Sequence, residues 1–325
     1  MQVFTRDLIE THYAGLEWPT FLGSVELGES FVVETERFNR VNGPIAVGGT
    51  EAGDNIAVHI ESIEIVPPFE APNGGPFFRG MGDPVPLEYR DGRFYYPNNL
   101  SLPANPSIGN VAVLPFPTEA ILARSRRDLG PSEKGHRGWG WRGIVNDPRG
   151  KHCHQDCSYL TSRSTIHLKA QVDQTGLCFA DVHGYIGQGE LSFAGIEVAA
   201  RIRVRVDRSA GWYVDWPLIE TEDEIMVFCS DTNLLDGTTD QQYVDIVRRA
   251  YSEMRKVVAA KIGGSISDAN PIVASALDIR NCALYGLGNF VQKEGKKPDQ
   301  SDRDIAVVGV LAKSIFESDN AVRYQ

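Results

Sequence analysis

The chain lacks the sequence features of several large protein classes. Its 325 residues contain no apolar run of membrane-spanning length, and the start, MQVFTRDLIETHYAG, does not resemble a signal peptide. Cysteine is scarce, with five residues and none in a CxxC pair, which favours reduced thiols and a cytoplasmic protein. Positive charge is outweighed, because 32 Lys and Arg stand against 43 Asp and Glu, for a net charge of −11. That balance disfavours nucleic acid and anionic membranes as partners.

Several well-known catalytic and nucleotide-binding motifs are also missing. The sequence has no Walker loop, no dinucleotide fingerprint behind a strand, no GxSxG elbow, no HExxH pair and no internal repeat. The segment GYIGQG (184–189) has the glycine spacing of a phosphate loop. It leads into Glu190 and a strand rather than into a helix, which disfavours phosphate binding. These absences leave a globular protein that handles something small.

Glycine and proline punctuate the first two thirds of the chain, between short runs rich in Val, Ile, Phe and Tyr. This pattern predicts a mainly β fold, a sandwich or barrel with long loops. Residues 21–36 and 44–66 are predicted strand pairs, with a bulge near Ser62 where the apolar alternation slips. Residues 201–206 alternate Arg with Ile or Val. Their arginine row is predicted to be a solvated or edge-protecting face, with an anion-binding face as the alternative.

The C-terminal part has α+β character. A capping-box start at residues 238–239, followed by apolar residues at helical spacing, predicts one long amphipathic helix that ends at the glycine pair 263–264. The Asn-Pro pair 270–271 predicts the start of a short second helix. Residues 304–315 are predicted to form a closing strand.

The change of character near residue 237 predicts two regions. A β-rich region over 1–236 is expected to carry the functional site. A smaller α/β region over 237–325 is expected to pack on it, unless the two form one continuous domain.

The residues best suited to catalysis or metal binding begin at KHCHQD, in a stretch (151–197) that holds four of the seven histidines. His152, His154 and Asp156 are spaced by two. If that segment is extended, all three side chains project from one face. Imidazole and carboxylate groups on one face could bind a metal ion.

A second pair repeats this spacing further along. Asp181 and His183 are also two residues apart, just before a glycine-rich turn and Glu190. Two segments that each offer imidazole and carboxylate predict a mixed N/O metal site of the kind zinc uses. A zinc-bound water has a pKa near 7, so it could serve as a nucleophile, with a spare carboxylate as base.

The remaining histidine and thiols of interest have simpler interpretations. His167 alternates with apolar residues and is predicted to be an ordinary strand residue. Cys153 and Cys157 have the wrong parity to join the histidines and are predicted to be buried and inert. Cys178 or Cys282 could meet a histidine in a Cys–His nucleophilic site, although no sequence feature selects them.

The segment ADVHGYIGQGE (180–190) resembles GDGHAAQGDGE of the acetamidase/formamidase amidohydrolases, with aspartate, histidine, two glycines and glutamate in register. Glu197 falls where that family has a following Ile-Glu, and Asp156 where it has the aspartate of a GGNMD motif. GPIAVGGTEAGDNIAVHIESI (43–63) is similar to GPVYVEGAEPGDVLEVEI of the family. SALDIR and IAVVGVLAKSIF resemble its closing segments, so the likeness runs in patches over nearly the whole chain.

The resemblance implies a β-sandwich-rich fold with a smaller α/β part, a homo-oligomer (dimer or higher), and metal-associated hydrolysis of a short amide. The chain departs from the family where residues 152–154 replace Gly-Gly-Asn and Gln155 replaces methionine. It also lacks the acid between the glycines at 187–189. Four residues carry over as the polar centre: Asp156, Asp181, His183 and Glu190.

The residues and the resemblance together predict a metal-dependent amidohydrolase that acts on a small carboxamide or a cyclic amide. The cofactor is a divalent metal, with zinc preferred over calcium or another ion. The alternatives are a non-catalytic small-molecule binding protein of the same fold, and a lyase or isomerase that uses the same metal. The candidate metal ligands are Asp156, His183, His154, Asp181 and His152. The candidate catalytic acids are Glu190, Glu197 and Asp181.

Overall fold

The structure is a computed structural model that describes residues 1–6, 19–37, 40–73, 82–119, 122, 155–190, 194–230, 239–284 and 305–317. The predicted metal ligands His152 and His154 lie outside these described residues, as does Cys153. Among the described residues, no helix combines the length and the apolar character needed to cross a membrane.

Short strands dominate the described residues. In chain order they are β1 (Val3–Phe4), β2 (Ser24–Val25), β3 (Ser30–Thr35), β4 (Asn42–Val47), β5 (Asn55–Val66), β6 (Glu70–Asn73), β7 (Gly82–Pro86), β8 (Glu88–Arg90), β9 (Arg93–Tyr95), β10 (Ser101–Pro103), β11 (Ser107–Val113), β12 (Thr165–Lys169), β13 (Leu177–Tyr185), β14 (Ile196–Glu197), β15 (Ala199–Arg208), β16 (Leu218–Glu220), β17 (Glu224–Ser230), β18 (Asp278–Leu284) and β19 (Ile305–Ala312). The helices are α1 (Thr239–Ile262) and α2 (Ile266–Ala276), and a 3-10 helix, Lys313–Phe316, follows β19.

Two main sheets share one apolar core. A nine-stranded sheet has the order β1-β3-β15-β5-β12-β16-β17-β19-β18, and a smaller sheet has the order β11-β13-β4-β2 with β14 beside β13. Val58 and Ile166 of the large sheet and Val111 and Phe179 of the small sheet belong to the same buried cluster. This is the packing of a β-sandwich. The predicted mainly β fold with sandwich character is confirmed.

The other half of the large sheet is covered by helices. Leu218 and Val227 of the sheet form a second buried cluster with Ala250 and Met254 of α1. The predicted long amphipathic helix is confirmed, since α1 spans Thr239–Ile262. The helix therefore buries its apolar stripe against strands that the N-terminal two thirds of the chain supplies.

The start of α2 differs from the prediction at residues 270–271. Ser265 is the N-cap, and its hydroxyl accepts a hydrogen bond from Asp268 N, while the Asp268 carboxylate accepts from Ser265 N. This reciprocal capping starts the helix earlier and leaves Pro271 inside it. The predicted N-cap at the Asn-Pro pair is therefore wrong.

The predicted strand pairs at 21–36 and 44–66 are also wrong. β2 and β4 lie in the small sheet, whereas β3 and β5 lie in the large one, so these segments cross between layers instead of forming hairpins. The predicted bulge is confirmed, because the register against β15 shifts between Ile60 and Ser62 and leaves Glu61 as the extra residue.

The arginine row of β15 lies on the outer face of the large sheet. Because β15 is internal, between β3 and β5, the row does not protect an edge. Each guanidinium is half-exposed and pairs with a carboxylate, which confirms the predicted solvated face. The pairs are Arg201–Glu34 at 3.4 Å, Arg203–Glu61 at 2.6 Å and Arg205–Asp207 at 3.0 Å.

Candidate metal centre

Strand β13 carries the middle of the site. Its residues Leu177 and Phe179 face the core, and so does Val182 further along. The alternation of inward and outward side chains therefore shifts by one residue between Phe179 and Val182. Asp181 lies at the change and has a left-handed backbone with φ of 63°. Since neighbours in a strand alternate in direction, Asp181 and His183 project away from the core on either side of Val182. The predicted pairing of these two residues on one face is confirmed, with 4.0 Å between Asp181 Oδ2 and His183 Nε2.

Asp156 reaches the site on an irregular segment instead of a strand. The backbone N–H groups of Gln155 and Asp156 both donate to the Gly109 carbonyl, at 2.7 and 3.0 Å. The Gln155 side chain bridges the backbone of Val111, accepting from its N–H at 3.0 Å and donating to its carbonyl at 3.2 Å. Asp156 itself is left-handed, with φ of 40°. The predicted shared face with His152 and His154 involves residues outside the described part of the chain, whereas Asp156 itself does lie in the site.

The two glutamates come from the chain that follows β13. Glu190 ends the glycine-rich turn with a φ of 39°, and the preceding Gly189 N–H donates to the Cys282 carbonyl of β18 at 3.0 Å. Glu197 lies on β14 directly opposite His183 in the sheet register. The C-terminal strand β18 thus supports the turn that bears Glu190.

The imidazole of His183 has carboxylates on several sides. Its Nε2 lies 3.1 Å from Glu197 Oε1 and 3.5 Å from Glu190 Oε1, in addition to the Asp181 contact. By hydrogen-bond geometry, neither ring nitrogen has a partner among the described residues. The Oε2 of Glu197 likewise has no such partner there. Oxygens that surround a nitrogen without hydrogen-bonding to it are arranged as ligands of a shared ion would be.

The backbone of Gly109 makes room for this arrangement. A Cβ atom at this position would lie 2.6 Å from Asp156 Oδ1 and 2.9 Å from Asp181 Oδ2. Only glycine allows the two carboxylates to approach β11 so closely. The sequence signal for this residue is an isolated glycine inside a strand, which often marks a close approach to the backbone.

The site is buried and strongly acidic. The exposed fractions of its residues run from 0% at His183 to 6% at Glu190. Burial by itself would lower the pKa of His183, but the carboxylates of Glu197, Asp181 and Glu190 raise that pKa well above its ordinary value. Burial raises the pKa of Glu197 to about 7, against the opposing effect of His183. A cluster of buried acids around one imidazole is an environment that favours a bound cation.

The donor set fits a divalent metal ion. Within each of two triads, Asp156–His183–Glu190 and Asp181–His183–Glu197, the ligand atoms all lie within 4.8 Å of one another. Ligands bound at about 2.0–2.2 Å are separated by about 3–4.4 Å across one ion. The measured contacts of 3.1, 3.5 and 4.0 Å to His183 Nε2 fall in that range. A metal ion could therefore bind here with little rearrangement.

Other candidate residues from the sequence are not among the described groups that could hold a metal ion. His167 is on β12, as predicted, but it is buried between Ser209 Oγ at 2.8 Å and Glu220 Oε2 at 3.0 Å. Cys157 is buried, as predicted, and its thiol contacts Cys282.

Cys178 is fully buried as well. Burial raises the pKa of the Cys178 thiol, which disfavours its use as a thiolate nucleophile. Among the described residues, the groups that could hold a metal contain no cysteine.

Comparisons with known proteins identify the fold. No protein-family model matches the sequence, and no curated protein sequence matches it. An acetamidase structure from Yersinia enterocolitica is similar, with a TM-score of 0.70 and 19% identity over 97% of this chain and 92% of that one. A predicted acetamidase/formamidase from Thermoanaerobacter tengcongensis gives 0.67 and 18% over 94% and 95%. A gamma lactamase from Delftia acidovorans gives 0.54 and 15% over 98% and 94%.

These structures show which fold the chain has. The chain has a mainly β fold of the kind that the acetamidase and formamidase structures share, over almost its full length. The resemblance noted in the sequence is thus confirmed for the fold.

Proposed function

We propose that this protein is a metal-dependent amidohydrolase that cleaves the carbon–nitrogen bond of a small carboxamide or a cyclic amide. The observation that carries the proposal is the buried imidazole of His183 with carboxylate oxygens at 3.1 to 4.0 Å that do not hydrogen-bond to it. The fold supports the substrate class, because similar structures are named acetamidase, formamidase and gamma lactamase.

The ligands of the ion would come from both strands and turns. Asp156 and Glu190 share one possible metal-binding group with His183, and Asp181 shares the other, so these four residues would hold a divalent cation, with zinc as the first candidate. When bound, such an ion polarises a carbonyl group and makes water a usable nucleophile near neutral pH. His152 and His154 stay predicted ligands, outside the described residues.

Glu197 is the best candidate for moving protons. Its Oε1 accepts a hydrogen bond from Gly195 N at 3.0 Å, which fixes the carboxylate beside His183. With a pKa of about 7, this group can take a proton from the attacking water and deliver it to the departing nitrogen. Glu190 and Asp181, also predicted as catalytic acids, then serve mainly to hold the cation.

The alternative of a non-catalytic binding protein was motivated by the sequence departures at 152–155. Gln155 does not fill the site, because its amide is committed to the backbone of Val111. It attaches the Asp156 segment to β11 and does not take the place of a cation among the carboxylates. This observation favours the hydrolase. A homo-oligomer and a cytoplasmic location stay predictions that accompany it.

The test combines metal content with turnover. Purified protein would be supplied with zinc, dialysed, analysed for metal, and assayed for ammonia or amino-acid release from formamide, acetamide and small lactams. We expect bound metal and hydrolysis, with both reduced at least about 100-fold in His183→Ala and Asp156→Ala. Glu88→Gln, which alters an exposed carboxylate on β8, is the control and should leave both unchanged.

Two results would contradict the proposal. One is hydrolysis that persists in His183→Ala and Asp156→Ala. The other is metal-loaded protein whose melting temperature rises with an amide while no amide is consumed, which is the behaviour of a binding protein.

A further inference from the structure

Ser107 is a buried polar residue that the proposed chemistry does not use. The residue is 0% exposed, and its hydroxyl has no hydrogen-bond partner among the described residues. A buried hydroxyl without a partner is unfavourable, because it loses its hydrogen bonds to water and gains none in return. A group of this kind in a folded protein calls for an explanation, and the position of Ser107 in the sheet supplies one.

The sheet register places Ser107 directly beside His183. Ser107 of β11 is paired with His183 of β13, which is also paired with Glu197 of β14. The neighbours Ile108 and Val182 lie in the apolar core, so Ser107 and His183 both point away from it. Residues directly opposite each other in an antiparallel pair have Cβ atoms about 4.5–5.5 Å apart. The hydroxyl and the imidazole are therefore adjacent on one face of the small sheet.

The orientation of the imidazole leaves its Nδ1 on the Ser107 side. Because His183 pairs with both Ser107 and Glu197, β11 and β14 flank β13 on opposite sides. The Nε2 of His183 lies 3.1 Å from Glu197 Oε1, and its Cδ2 lies 2.8 Å from the position of a Cβ on Gly195. The edge of the ring that carries these two atoms thus faces β14, and the opposite edge, with Nδ1, faces β11. This nitrogen, like the Ser107 hydroxyl, lacks a hydrogen-bond partner in the described part of the chain.

A cation bound at Nε2 of His183 would determine what Nδ1 does. A ring nitrogen that coordinates a metal carries no proton, so the proton of the neutral imidazole is on Nδ1, which becomes a donor. Histidine ligands almost always give this N–H to an acceptor, which fixes the ring orientation and strengthens metal binding. A serine hydroxyl can accept such a bond, and rotation about its χ1 torsion between staggered positions moves the oxygen.

We infer that Ser107 is a positioning residue for His183, whose Nδ1–H donates a hydrogen bond to the Ser107 hydroxyl while Nε2 holds the cation. The inference rests on the metal centre proposed above. It gives the hydroxyl opposite effects in two forms of the protein. Without a partner, it lowers the stability of the metal-free form, whereas with its partner it raises the affinity for the ion.

The test measures zinc affinity and stability in the full chain carrying Ser107→Ala. Competition with a fluorescent chelator should give an affinity for Zn²⁺ about 10–100-fold below that of the wild type. The metal-free variant should melt at the wild-type temperature or above it, because it no longer buries a hydroxyl without a partner. An unchanged zinc affinity would overturn the inference. A lower melting temperature of the metal-free variant would also overturn it, since the hydroxyl would then support the fold.

Ser164→Ala is the matched control. Ser164 is also buried, at 3% exposed, but its hydroxyl donates to the Thr161 carbonyl at 2.7 Å. Removal of a hydroxyl that has its partner should lower the melting temperature of the metal-free protein and leave zinc affinity unchanged. If Ser164→Ala weakened zinc binding as much as Ser107→Ala does, the effect would not be specific to the neighbour of His183, and the inference would fail.

A spectroscopic measurement detects the hydrogen bond itself. In Co²⁺-loaded protein, the paramagnetic ion shifts the Nδ1–H proton of a ligating histidine outside the ordinary range of proton NMR, and this signal disappears as the proton exchanges in D₂O. We expect slow exchange in the wild type and faster exchange in Ser107→Ala, because a buried, hydrogen-bonded N–H is protected. Equal exchange rates in the two proteins would contradict the inference.

The outcome is separable from the proposed hydrolysis. Amide turnover together with unchanged zinc affinity in Ser107→Ala would overturn this inference and leave the proposed function standing. Weaker zinc binding in Ser107→Ala, with no turnover of any amide by the wild type, would support this inference and count against the hydrolase. Protein that binds neither Zn²⁺ nor Co²⁺ would overturn both.

Discussion

Gly109 limits the space at the proposed metal centre, because a side chain at this position would meet two of its carboxylates. Gly109→Ala would place a methyl group 2.6 Å from Asp156 Oδ1 and 2.7 Å from the Asp181 carbonyl oxygen. Both carboxylate-bearing segments would have to move outward. We expect metal affinity to fall at least about 10-fold, measured by competition with a fluorescent chelator.

Gly187→Ala is the matched control for that change. It lies in the turn before Glu190, and a Cβ there would meet no atom within 4 Å. Its metal affinity should therefore equal that of the wild type. Equal affinities for the two alanine variants would show that the close approach at Gly109 does not matter for the centre.

Glu220 is the residue with the clearest predicted effect of pH on stability. A hydrogen bond with His167, aided by Lys313, lowers the pKa of its carboxyl to about 2 from an ordinary value of 4.5. Because the folded-state pKa is the lower one, the stabilisation is complete above about pH 4.5 and is lost as pH falls towards about 2.

Glu220→Gln should remove this pH dependence. Since the buried His167 loses a charged partner at 3.0 Å, we expect the free energy of unfolding at pH 7 to drop by about 1–3 kcal/mol. Urea melts from pH 7 to pH 2 should show a smaller loss of stability on acidification than in the wild type. Glu88→Gln controls for general charge effects, and an unchanged acid limb in Glu220→Gln would contradict the assignment.

At the scale of elements, local sequence patterns predicted which segments form strands and helices better than they predicted which strands pair with each other. The two-residue spacing of Asp181 and His183 and the slip near Ser62 are local, so the sequence predicted both the shared face and the bulge. The choice of sheet for β2 to β5 depends on contacts far along the chain, and there the predicted hairpins were wrong.

The sequence pointed to the candidate ligands but not to the residues that support them. Acid and imidazole side chains are recognisable by their chemistry, and family likeness placed Asp156 and Glu190 among them. Gln155 supports the site through hydrogen bonds to the backbone of β11. Gly109 supports it through its carbonyl, which accepts two backbone hydrogen bonds, and by having no side chain. Such contributions become visible only when β11 and the 155–157 segment are brought together in space.

A core residue of helix α1 tests how much packing in the second buried cluster contributes to the stability of the protein. Met254 is fully buried against β17 and β19 residues in that cluster. Met254→Ala should lower the free energy of unfolding by about 2–4 kcal/mol because a cavity remains. Val244→Ala, on the same helix but 41% exposed, should change it by less than about 0.5 kcal/mol. Chemical denaturation measures both, and equal effects would mean that α1 contributes through propensity and not packing.

At the scale of the whole molecule, the large sheet contains strands from both the N-terminal and the C-terminal parts of the chain. β1 and β3 form one edge, and β18 and β19 from the C-terminal region form the other. β19 pairs with β17 over seven residue pairs, from Glu224↔Ala312 to Ser230↔Ala306. The predicted regions 1–236 and 237–325 are thus joined by a continuous hydrogen-bonded sheet, and we propose that they unfold as one unit.

A truncation to residues 1–236 tests that proposal and its consequence for the site. The fragment would lose the strand that covers β17, exposing Cys229 and Val227 from the second buried cluster. It would also lose the Cys282 carbonyl that holds Gly189 beside Glu190. We therefore expect the fragment to aggregate or stay unfolded and to bind no metal, and the full chain to show one calorimetric transition with equal calorimetric and van't Hoff enthalpies. Two resolved transitions, together with a folded, metal-binding fragment, would instead establish two independent domains.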